Sequence, residues 1–64
     1  MPTRDVAQAL NRIEALLGSG QARAAEHAAR ALLLNAADDA QLRVLLAHAL
    51  RAQSRLAEAR EALD

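Results

Sequence analysis

The chain has no cysteine and no aromatic residue, a single proline and only two glycines. Without cysteine there is no disulfide staple and no thiolate metal site, and the redox state of the compartment leaves no mark on the sequence. Without Trp, Tyr or Phe, any core has to be assembled from small aliphatic side chains. Charge of one sign is also missing: eight arginines are offset by eight acidic residues, for a formal charge of zero. That argues against nucleic acid as a partner, because electrostatic capture needs a basic excess on one face. No stretch is long and apolar enough to span a bilayer, and Met1-Pro2-Thr3-Arg4 lacks the apolar run of a signal peptide. The default reading is a cytoplasmic chain with no membrane partner.

Hydrophobic residues make up 53% of the 64 positions. Most are alanines; the larger ones are essentially leucines with Val6, Ile13 and Val44. Arginine in place of lysine, with abundant alanine, is the bias of a GC-rich coding sequence and points to a bacterial source. A chain of this size buries only about 60% of the surface it exposes when unfolded, so stability is expected to be marginal.

Spacing predicts four helices. Asp5 with Gln8 three residues on forms a capping box for a first helix near 5–17, whose Val6, Ala9, Leu10, Ile13, Leu16 and Leu17 share one face. Gly18-Ser19-Gly20 ends it, and Ser19 is expected to cap a second helix near 21–34 with a stripe of Ala25, Ala28, Ala29 and Leu32. Asn35 to Asp39 is the next break, where Asp38 and Gln41 offer another capping box. A third helix near 39–53 carries Leu42, Leu45, Leu46, Ala49 and Leu50 at the spacing of a buried face. Gln53-Ser54 is a tight joint without glycine, Ser54 being the expected cap of a last helix near 55–63.

The sequence also repeats itself at an offset of about 34 residues, a period of helix-turn-helix solenoid units. Leu10 to Leu16 slides onto Val44 to Leu50, and Ala22 to Ala28 onto Leu56 to Ala62. In Leu46-Ala47-x-x-Leu50 and Leu56-x-x-Ala59 the second unit resembles the tetratricopeptide repeat family, with Gly20 and Ala25 as the matching positions of the first unit. The family's usual aromatics are replaced by leucine and alanine, and its closing proline by Ala37. The resemblance covers nearly the whole chain and implies one all-α domain, 1–64. Two helix-turn-helix hairpins, about 5–37 and 38–64, would stack as a short right-handed solenoid. An alanine–leucine pattern of this kind also suits a plain four-helix bundle.

The resemblance further implies a non-enzymatic module that binds a protein or peptide on the face formed by the first helix of each repeat. Here that face comprises Leu10, Asn11 and Glu14 with Gln41, Val44, Leu45, His48 and Arg51. Val44 projects among polar residues there, which suits an amphipathic helix or an extended peptide as well as a merely exposed valine. A clamp for a terminal carboxylate, as the family often builds, is not expected, because Leu10, Glu14 and Leu45 stand where lysine and asparagine would be needed. The last helix ends without a stop signal, and Leu56, Ala59 and Leu63 form an apolar side with nothing to cover it. Either the chain is the N-terminal part of a longer protein, or this side docks a second copy in a homo-oligomer. A small secretion-chaperone-like adaptor is a further alternative.

Candidate chemistry is sparse. His27 and His48 have no metal-ligand companion at i+3 or i+4, and Ser19 and Ser54 have no histidine placed to activate them. Asp38-Asp39 lacks the spacing of a calcium loop and reads as a helix N-terminus. No catalytic residue, metal site or cofactor is expected, and Glu26 with Arg30 reads as an ordinary surface i,i+4 pair.

Overall fold

The computed structural model describes residues 2–64, with side chains from Ala7 onward. It is all-helical, with α1 (Pro2–Gly18), α2 (Ala22–Leu33), α3 (Ala40–Ala52) and α4 (Leu56–Leu63). α2 to α4 match the expected spans to within a residue at each end. α1 begins at Pro2, ahead of Asp5, so Asp5 is not its cap; the side chains of Asp5 and Val6 lie outside the described residues.

The two tight joints share one backbone design. In the first, Gly20 has φ 80°, its N–H bonds the Leu17 carbonyl and the Gln21 N–H bonds that of Leu16. In the second, Ser54 has φ 62°, its N–H bonds Arg51 and the Arg55 N–H bonds Leu50. These two bonds recur 34 residues on, and both joints are Schellman turns, which close a helix by placing one residue in the left-handed region. Neither serine acts as the expected cap. Ser19 donates its hydroxyl back to the Leu16 carbonyl at 3.1 Å, and Gln21, the residue at the N-cap of α2, makes no side-chain cap bond. Ser54 fills the place of a glycine, and Arg55, at the N-cap of α4, makes no side-chain cap bond either.

A left-handed L-residue costs roughly 1–2 kcal/mol that glycine does not pay. Ser54→Gly is therefore expected to stabilise the chain by about 1 kcal/mol, raising Tm by about 4–8 °C in a thermal melt followed by helicity. The middle joint is built differently. Asp39, rather than Asp38, caps α3, its Oδ1 accepting from the Leu42 N–H at 3.1 Å.

α3 is the centre of the molecule, packing against α2 and α4 on either side and touching α1. It supplies most of the core: Leu42, Leu45, Leu46, Ala47, Ala49 and Leu50 join Ile13, Ala25, Ala29 and Ala59. The buried alanines let the helix backbones approach closely, which the absence of aromatics makes the main means of filling the interior. Ala28 and Leu32, expected in the α2 stripe, are only half-buried, as are Leu10, Leu16 and Leu17 of α1. Among the described residues α1 does not approach α4. The body measures 35 × 26 × 14 Å, a slab two helices thick.

Candidate functional site

The residues expected on the α1/α3 face divide into two groups. Asn11, Glu14, Gln41, His48 and Arg51 are exposed, and Val44 is 41% exposed among them. Leu10 is half-buried against the core, and Leu45 is 7% exposed and part of it. Leu45, expected both in the buried stripe of α3 and on this face, belongs to the stripe alone: one residue on from Val44, it is turned roughly 100° about the helix axis, onto the packed side. The α4 set divides likewise. Leu56 and Leu63 are 65% and 55% exposed, while Ala59 is buried beneath them and has no contact to offer a partner.

A well-formed concavity lies elsewhere. Between α1 and α2 runs an open trough of about 690 Å³, lined by Gln8, Ala9, Arg12, Leu16, Ala24, Ala28, Ala31 and Leu32. Its floor is alanine because Ala24, Ala28 and Ala31 recur at i, i+4 and i+7, which places them on one side of α2. Sequence reasoning assigned Ala28 and Leu32 to the core stripe and left Ala24 and Ala31 unread; their spacing was the available signal.

A smaller trough of about 280 Å³ occupies the same place on the second hairpin, lined by Leu46, Leu50, Glu58, Glu61 and Ala62 together with Arg30 of α2. Leu46, Leu50, Glu58 and Ala62 are the positions 34 residues on from Arg12, Leu16, Ala24 and Ala28. The two troughs are thus one feature built twice. On the second hairpin α2 packs along α3 and its Arg30 walls the opening; on the first hairpin no described residue walls the corresponding side.

Beside the buried Ala25 and Ala29, α2 is fastened there by a polar cluster around Glu26, a residue read from sequence as a surface pair and found 5% exposed. Gln53 Nε2 donates to Glu26 Oε1 at 2.9 Å, Arg55 Nη1 to the same oxygen at 2.7 Å, and Arg30 Nε to Oε2 at 2.9 Å. Arg55 also grips Glu58 with two donors at 3.0 and 2.5 Å, and Arg30 Nη2 lies 3.7 Å from the same carboxylate. Hydrogen bonding from Gln53, with the bonds and charges of Arg30 and Arg55, outweighs burial and holds the Glu26 carboxyl at a pKa of about 2. The hydrogen bond from Arg55, assisted by its charge, likewise lowers that of Glu58. Among the described residues no buried side-chain polar atom lacks a partner, so the cluster is fully satisfied. The signal in the sequence was weak, since Glu26 and Arg30 are neighbours on α2 but Gln53 and Arg55 arrive from the α3–α4 joint.

Both histidines are exposed. Among the described residues no three His, Cys, Asp or Glu side chains gather in a metal-binding group, and no helix is long and apolar enough to cross a membrane. No protein-family model, curated protein or solved structure matches the chain.

Proposed function

We propose that the chain is a non-enzymatic protein-interaction module of tetratricopeptide-like design, whose α1/α2 trough docks a helix of a partner protein. The observation that carries this reading is the doubled trough: on the second hairpin a helix, α2, packs along α3 and reaches the rim of the trough through Arg30. A floor of alanines with leucine on either side suits the apolar side of an amphipathic helix, since small side chains let a backbone approach. The solenoid reading draws support from the two-helix thickness, from joints that recur at 34 residues and from α1 standing clear of α4, which a closed bundle would bring together.

A synthetic helical peptide of residues 22–33, the sequence of α2, is the natural probe. Titrated into the labelled chain, it is expected to shift the backbone amide resonances of Arg12, Leu16, Ala24, Ala28 and Ala31. Shifts confined to Gln41, Val44 and His48 would move the docking surface to the α1/α3 face and overturn the trough. No saturable shifts anywhere would overturn the helix-docking reading altogether.

A further inference from the structure

Resting on the helix-docking reading, we infer that the helix the α1/α2 trough accepts is α4 of a second copy of this chain, so that copies join head to tail as the first hairpin joins the second. The 34-residue offset that turns the first hairpin into the second turns α2 into α4. The packing of α2 along α3, with Arg30 reaching Glu58 of α4, is therefore an internal template for α4 packed along α1 of another copy, at the rim of its α1/α2 trough.

Three features of the surfaces agree with the template. Ala29, fully buried in the internal contact, has Leu63 as its counterpart, and Leu63 is 55% exposed. The trough on the first hairpin is the roomier of the two, about 690 Å³ against 280 Å³, with Ala24 in place of Glu58. The sign of the pairing is reversed, with an acid on α4 and Arg12 in the trough. Arg30 faces Glu58 and Glu61 in the internal contact; its counterpart Asp64 would face Arg12 and His27, the counterparts of Leu46 and Glu61. Arg60, in the role of Glu26, would meet Ser19 and Gln21, which present oxygen acceptors and no like charge.

An eight-residue helix covers less than the roughly 800 Å² per partner of a standard interface, so association is weak and depends on concentration. Each joined copy keeps one free trough and one free α4, and an open chain results in place of a closed dimer.

Sedimentation equilibrium of the full chain from micromolar to millimolar concentration tests this. The expected result is a mean mass that climbs past that of a dimer without a plateau. Leu63→Arg on α4 and Ala24→Glu in the trough, both at exposed positions, are each expected to weaken association at least about tenfold while leaving helicity unchanged. Mixed together, the two variants are expected to form a dimer and stop there, because one keeps the trough and the other keeps α4. A wild-type chain that stays monomeric throughout overturns the inference; if the residue 22–33 peptide still binds the trough, helix docking stands and the occupant is foreign. Association that Ala24→Glu leaves intact, or variants that fail to complement, also overturns it, in favour of a symmetric α4 contact.

Discussion

Leu45→Asp is expected to abolish folding, and Val44→Asp, one residue away, to leave it intact. Leu45 is 7% exposed and belongs to the core around α3, whereas Val44 is 41% exposed among polar neighbours. Full burial of a leucine contributes about 1.5–3 kcal/mol, and an unpaired carboxylate in its place adds a desolvation cost of several kcal/mol. At about 0.05–0.15 kcal/mol per residue the whole fold has roughly 3–10 kcal/mol to lose. Far-ultraviolet circular dichroism at neutral pH decides the matter: Leu45→Asp should show the helicity of an unfolded chain, Val44→Asp that of the wild type within about 1 kcal/mol of its stability. A folded Leu45→Asp protein would place the residue at a surface and remove it from the α3 core.

The second large effect concerns acid. Glu26 has its carboxyl held at about pKa 2 in the folded chain against an ordinary value of 4.5. A depressed folded-state pKa contributes stability that is present above the unfolded value and lost as pH falls through the folded one. Up to about 3 kcal/mol should therefore disappear between about pH 5 and about pH 2, with Glu58 acting in the same direction. Glu26→Gln removes the charge but keeps a group of the same shape, and its cost is moderated by the partial exposure of Arg30 and Arg55, whose side chains are 47% and 35% accessible. The variant is expected to be about 2–3 kcal/mol less stable at pH 7 and to show a much shallower fall toward pH 2. Urea unfolding at neutral pH and at about pH 3 checks both statements; parallel pH profiles for the two proteins would exclude Glu26 as the source of the acid sensitivity.

The cluster bears on the interaction reading as well, because it fastens α2 to the α3–α4 joint and so sets the relation between the two hairpins. If that relation is the template for docking a further helix, a chain without the Glu26 contacts should lose hairpin stacking before it loses its helices. The polar lock is specific to the internal contact. Its counterparts on the outer surfaces are Arg60, Ser19 and Gln21, so the proposed contact between copies would lack this lock and be the weaker of the two.

Helix positions were legible in the sequence because they depend on local period and on breakers. Gly18-Ser19-Gly20, Asn35 to Asp39 and Gln53-Ser54 interrupt the apolar spacing wherever the helices end. The 34-residue repeat was legible for the same reason and reappears in the paired bonds of the two Schellman turns. Capping was less so: serine and aspartate suit a cap, a turn or a left-handed position alike, and only the backbone path selects Asp39 over Asp38 and gives Ser54 the role of a glycine.

By itself, then, the sequence determined an all-helical chain, its joints, its internal repeat and the apolar stripe of α3, all consequences of interactions within a few residues. Tertiary structure alone decided that Glu26 is buried, because Gln53 and Arg55 reach it only when α2 lies against the second hairpin. It likewise decided which alanines of α2 enter the core and which floor a trough. Alanine carries no preference strong enough to choose a side, so the choice falls to the helices packed around it.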